Sequence, residues 1–199
     1  MKIQIRNDGT AIIEGYVNAI ERFSKPLYDT KGKFIERIMP TVFQKALDSN
    51  KDILTLLNHD HEKILARTGD GTANLKEDNI GLKASVQVRD ETVIDKARNG
   101  KLRGWSFGFI VNKEERVVNT EGMEERTIRE LELLEISIID DKRSPAYYGT
   151  SIEMREDDTR VIEYRIETDV EIELIEEQTE SLKDLTYKNR NRLNRLKIK

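Results

Sequence analysis

Apolar and polar positions along the chain predict a mostly β protein with two or three helices. Residues 10–20, TAIIEGYVNAI, read as an apolar strand carrying a glycine. FIERI at 34–38 resumes as a strand after the turn-rich ERFSKPLYDTKGK. Pro40 and Thr41 announce a helix, with Thr41 as its N-cap and Val42, Phe43, Ala46 and Leu47 at helical spacing. DILTLL is a short buried strand that delivers the chain to Asn58-His59-Asp60-His61. In KASVQV, Ala84, Val86 and Val88 alternate with Lys83, Ser85 and Gln87, which predicts a half-buried strand. TVIDKARN at 92–99 predicts a short helix ended by Gly100. WSFGFIV is a strand, and RTIRELELLEISIID at 126–140 is one long strand or two broken ones. No βαβ rhythm and no internal repeat is visible. The expected fold class is therefore α+β, mostly β: a partly closed antiparallel sheet or barrel with flanking helices.

Beyond residue 155 the pattern changes. Ile162, Tyr164, Ile166, Val170, Ile172 and Leu174 stand among charged neighbours with a period of two, as in an edge strand or hairpin. From 156 to 180 there are eleven acidic side chains against Arg160 and Arg165; from 181 to 199 there are seven basic ones against Asp184. This asymmetry suggests a domain over 1–155 and a charged extension over 156–199, an acidic strand or hairpin followed by a basic tail. A solvated strand with a frayed terminal helix explains it as simply.

Composition narrows the chemistry. With 199 residues, 37% hydrophobic and 36% charged, the chain suits one domain with a modest core. It has no cysteine, which removes disulfides, thiolate nucleophiles and zinc–thiolate sites and fits a reducing compartment. MKIQIRNDGT lacks the apolar run of a signal peptide, and no segment approaches the ~20 apolar residues that span a bilayer.

One stretch invites a chemical reading. LRGWSFGF sets Ser106 between Trp105, the only tryptophan, and Phe107, with Gly104 and Gly108 on either side. Glycine weakens a strand but lets another backbone or a ligand approach. By alternation Trp105, Phe107 and Phe109 anchor the strand in the core while Ser106 faces the other way, as a small filler or as a nucleophile. Both histidines of the chain lie in NHDH, just past a buried strand, where His59 could act as a general base; a structural loop histidine is the plain alternative. Glu135 in LELLEISII is an acid among apolar residues that a histidine partner would explain, although alternation alone turns it outward between Leu134 and Ile136. Together the three would supply nucleophile, base and orienting acid.

The ordered elements FIERIMPTVFQKAL, LLNHD, LARTGDGTANLKEDNIGL, RGWSFGF, LLEISII and PAYYGTSIEMR, from about Thr10 to Arg155, resemble the prohead (capsid maturation) proteases of tailed bacteriophages. That family resembles in turn the herpesvirus assemblin proteases, serine proteases with an unusual β-barrel. The resemblance implies Ser106 as nucleophile, His59 as base and Glu135 as third member, and it leaves His61 variable. It also implies that an arginine beyond the third member helps to stabilise the oxyanion. Arg143 is the candidate, in a DDKRS connection that looks slightly long; a surface arginine is the alternative. Thr41-Val42 and Ala66 depart from the usual family residues without touching this chemistry.

The implied function is a serine endopeptidase that cuts capsid or scaffold protein, and itself, inside the prohead assembling in the host cytoplasm. The implied partners are the capsid protein or scaffold and, by the herpesvirus likeness, a second copy in a homodimer. No cofactor, metal or membrane is called for. The alternatives are a non-catalytic scaffolding protein that keeps the fold, a metal-dependent hydrolase built on His59, Asp60 and His61, and salt-sensitive nucleic-acid binding through KNRNRLNRLKIK.

Overall fold

Residues 1–29, 31–142, 152–154, 161–167 and 170–177 are described by the computed structural model, with 152–154 as backbone alone. Arg143 and the basic tail lie outside the described residues.

Among the described residues thirteen strands and two helices follow one another as β1 (Lys2–Ile5), β2 (Ala11–Ala19), β3 (Leu27–Asp29), β4 (Gly32–Ile38), α1 (Val42–Ser49), β5 (Leu54–Leu57), β6 (Asp60–Arg67), β7 (Ala73–Glu77), β8 (Gly81–Val88), α2 (Glu91–Arg98), β9 (Leu102–Val118), β10 (Glu124–Asp140), β11 (Ile152–Met154), β12 (Val161–Glu167) and β13 (Glu173–Glu176). They form two sheets. The first runs β13-β1-β2-β8-β7; the second runs β11-β12-β9-β10-β4-β3, with β5 joined to β10 and β6 to β5.

The mostly β expectation holds, but the sheets are mixed. β1 with β13, β10 with β4 and β10 with β5 are parallel pairs, so the expected all-antiparallel arrangement is corrected. Among the described residues the strand order does not close into a ring. The two parallel pairs of the second sheet fit a chain that leaves β4 through α1 and brings β5 and β10 back in the same sense.

One apolar core joins both sheets and both helices. Ile13 and Val86 share a buried cluster with Trp105, Phe107 and Ile136, and Phe43 of α1 and Val93 of α2 belong to it too. β2 passes so close to the indole that a Cβ on Gly15 would lie 2.7 Å from Trp105 Nε1, which is why that strand carries a glycine. α2 ends as expected at Gly100, with φ +61°, and its Asp90 cap accepts from Val93 N at 3.0 Å.

α1 corrects the sequence reading. Thr41 has φ +70° and makes no side-chain cap. The Glu77 carboxylate on β7 instead accepts from the N–H groups of Thr41 and Gln44, the latter at 2.9 Å. A negative group from a distant strand thus satisfies the first-turn donors that a cap would serve.

The C-terminal alternation is not a hairpin. β12 inserts between β11 and β9 in the second sheet, while β13 lines the edge of the first beside β1. The stretch expected as one loop before β4 holds β3, and 126–140 lies wholly within one long strand, β10.

Candidate functional site

β5 and β6 form a hairpin whose two-residue turn is Asn58-His59, with Leu57 opposite Asp60. Both turn residues have positive φ, +57° and +63°, as the tight turns suited to the twist of a hairpin demand. Asparagine and histidine are among the few residue types other than glycine that enter this region readily. Asn58 is tied to β10 at both ends: its N–H donates to Ile138 O and its Oδ1 accepts from Asp140 N, each at 3.0 Å. The turn is therefore clamped to β10, and the His59 ring lies between β10 and β9.

There it makes two short contacts. Nδ1 lies 2.7 Å from Glu135 Oε1, and Nε2 lies 2.7 Å from Ser106 Oγ. A carboxylate can only accept, so the ring proton sits on Nδ1 and Nε2 is left as an acceptor toward the hydroxyl. Ser137 completes the frame. Its hydroxyl donates to Glu135 Oε2 at 2.7 Å and accepts from His59 N at 3.0 Å, fixing carboxylate and turn together. The three side chains singled out in the sequence are thus brought into one hydrogen-bonded line.

Glu135 points away from the core side chain Ile136, as simple alternation has it, yet it is only 2% exposed. A register shift between Leu133 and Glu135 moves the core face from Leu131 and Leu133 to Ile136 and Ile138. The opposite face, carrying Glu135 and Ser137, is covered by the His59 turn and by Tyr164. The His59 and Tyr164 rings meet edge to face, with centroids 4.4 Å apart. A Cβ on Gly108 would lie 2.7 Å from Glu135 Oε1 and 2.8 Å from Tyr164 Cε1. The glycine expected to admit a substrate here admits the carboxylate and the tyrosine ring.

Trp105, Phe107 and Phe109 face the core, as expected. Ser106 is fully buried, because β12 runs antiparallel along β9 with Ile166 opposite Ser106. The Ser106 hydroxyl donates to the carbonyl oxygen of Arg165 at 2.7 Å. One proton therefore faces two acceptors, His59 Nε2 and Arg165 O. Asp60 and His61 begin β6 as exposed residues, apart from the buried His59 ring. Among the described residues no cluster of three or more His, Asp or Glu is spaced to hold a metal.

Sequence reasoning missed Ser137, Tyr164 and a buried ionic group under the same strands. Ser137 lies two residues after Glu135, so strand periodicity alone puts them on one face. The ionic group has Arg165 donating to Glu36 through Nε at 2.9 Å and through Nη2 at 2.8 Å. Arg126 donates to Glu36 at 2.9 Å, to Glu163 at 2.6 and 2.7 Å, and to Glu114. Burial pushes the Glu163 carboxyl up, but the Arg126 and Arg165 guanidiniums outweigh it and hold the group down at about 2.

That depression predicts acid sensitivity. A carboxyl held at about 2, against 4.5 when unperturbed, stabilises the fold fully above pH 4.5. It loses that contribution, about 3 kcal/mol, as the pH falls from 4.5 toward 2. Urea unfolding of the Ser106→Ala protein at pH 7, 4.5 and 3 should show this loss, and Glu163→Gln should flatten it. An equally steep fall in both would place the acid sensitivity elsewhere.

The profile of the Caudovirus prohead serine protease family matches residues 1–164. No curated protein and no solved structure matches the chain significantly. The family match runs from β1 into the first half of β12 and includes the strands that carry Ser106, Glu135 and the His59 turn, so the chain belongs to the prohead serine proteases of tailed phages.

Proposed function

We propose that the chain is a serine endopeptidase of capsid maturation in which Ser106 is the nucleophile, His59 the general base and Glu135 the group that orients and balances the imidazole. The observation that carries this reading is the hydrogen-bonded line from Ser106 Oγ through His59 to Glu135, with both links at 2.7 Å. His59 Nε2 takes the hydroxyl proton as Oγ adds to a peptide carbonyl, then returns it to the leaving amine. Glu135, itself held by Ser137, stabilises the imidazolium formed between those steps. Arg143, eight residues beyond Glu135, is the proposed aid to the oxyanion.

The substrates in this reading are capsid or scaffold segments and the chain itself, inside the assembling prohead. The protease domain spans 1–155, and 156–199 is a charged extension subject to self-processing. Activation by pairing with a second copy, in a partly closed barrel like that of the assemblins, belongs to the same reading.

Co-expression with the capsid protein and scaffold, followed by intact mass measurement, tests it. The wild type should shorten a partner and Ser106→Ala should not. Assembly without any cutting would favour a scaffolding role instead.

A further inference from the structure

β12 treats the site as a peptide substrate would. It adds to the edge of β9 as an antiparallel strand, pairing Glu163 with Phe109, Tyr164 with Gly108, Arg165 with Phe107 and Ile166 with Ser106. Strand addition to an open sheet edge is a common way of holding an extended peptide, with main-chain bonds for affinity and pockets for alternate side chains. The main-chain atom it presents to the Ser106 hydroxyl is the Arg165 carbonyl oxygen, at 2.7 Å.

The alternate side chains find fitted partners. The Arg165 guanidinium enters a cleft of about 920 Å³ between the sheets and meets both oxygens of Glu36. It also stands 5.1 Å from the centre of the Phe109 ring. Two residues earlier, Glu163 receives two nitrogens of Arg126. Glu36 and Arg126 belong to β4 and β10, and they also bind each other, at 2.9 Å. They are two charged sockets fixed in the body of the protein, one for a guanidinium and one for a carboxylate. Tyr164, between them, turns the other way onto the His59 ring.

We infer that β12 is the chain's own substrate strand, that Arg165–Ile166 is the bond Ser106 cuts, and that Glu36 and Arg126 select extended peptides with Glu-x-Arg before that bond. This rests on the serine-peptidase reading above. His59 takes the proton of Ser106 as Oγ adds to the Arg165 carbonyl carbon. The bond to the Ile166 nitrogen then breaks and that nitrogen leaves with the proton. Water, activated by His59, hydrolyses the resulting Arg165 ester, frees its carboxylate and restores the hydroxyl. In the resting arrangement the single hydroxyl proton is shared between His59 Nε2 and the Arg165 oxygen, each 2.7 Å from Oγ, and attack requires that it pass wholly to His59 Nε2.

Intact masses of the purified full chain, followed over time beside Ser106→Ala, test the bond. The expected products are 1–165 and 166–199 from the wild type alone. A Ser106-dependent cut elsewhere overturns this inference and leaves the peptidase reading standing. So does a chain that stays whole while it cuts a capsid or scaffold partner. If the wild type cuts neither, both fall.

The sockets are tested at the same bond. Arg165→Gln and Glu36→Gln should each slow cleavage about 100-fold, Arg165→Lys about tenfold, and the double Gln variant little more than either single one. A merely misfolded variant would show additive losses and changed circular dichroism. Unchanged cleavage of Arg165→Gln after residue 165 would overturn the selectivity.

Discussion

Ser106→Ala should lower peptide hydrolysis on the order of 10⁶-fold, and Ser106→Ala with His59→Ala should lose little beyond that. Groups that act as one unit fail together, and what survives is the contribution of binding and oxyanion stabilisation. The geometry explains why. Among the described residues the Ser106 hydroxyl meets one base, His59 Nε2, beside a carbonyl oxygen. Glu135→Gln should cost about 10⁴-fold by a subtler route. Ser137 donates to one carboxylate oxygen, so the glutamine carbonyl would settle there and turn its NH₂ toward His59 Nδ1. That nitrogen would then accept, and the ring proton would move to Nε2, where it blocks transfer from Ser106. Single-turnover rates on a cleaved capsid or scaffold segment would measure the series. Strictly additive losses, or a Glu135→Gln protein within tenfold of wild type, would break the proposed relay.

The second large effect concerns stability. Phe107 sits one residue from Ser106 on the opposite face of β9, fully buried. It meets Phe43 edge to face at 5.5 Å and stacks on Phe109 at 4.9 Å. Phe107→Ala should destabilise the fold by about 3–5 kcal/mol, the usual result of opening an aromatic-sized cavity in a packed core. Against a total stability of roughly 5–15 kcal/mol, this brings the domain near unfolding at working temperature. Trp105 is the only tryptophan and lies in the same cluster, so its fluorescence reports the transition directly. Urea titration in the Ser106→Ala background avoids self-cutting. A loss under about 1 kcal/mol would mean that the phenylalanine ladder is not what anchors β9.

How much of this was readable in the chain depended on whether the information was local. Trp105, Phe107 and Phe109 facing the core followed from a period of two, and the end of α2 followed from Gly100. The burial of Glu135 could not be read that way. Alternation correctly turned it away from Ile136, but what covers that face is distant in sequence: Tyr164, 29 residues later, and the His59 turn, 76 residues earlier. The left-handed pair Asn58-His59 was hidden because neither residue is a glycine, and only its anchoring to Ile138 and Asp140 shows why the turn is tight. Thr41 misled for a related reason, since a carboxylate from β7 can replace a cap that the sequence places next door. The charged stretch after 155 looked like an appendage because alternation with acids suits an exposed edge. Two of its charges, Arg165 and Glu163, are matched by Glu36 and Arg126, residues far away in sequence.

The way β12 closes the second sheet also bears on how this protein behaves in concentrated solution. β9 is apolar and glycine-rich from Leu102 to Ile110, and without β12 its backbone donors and acceptors on that side would stand open. Such an edge is a template for pairing with other chains. β12 therefore works as a sheath as well as an occupant of the site. A chain ended before Val161 should be sticky and poorly soluble, whereas one ended after Arg165 would keep most of its cover.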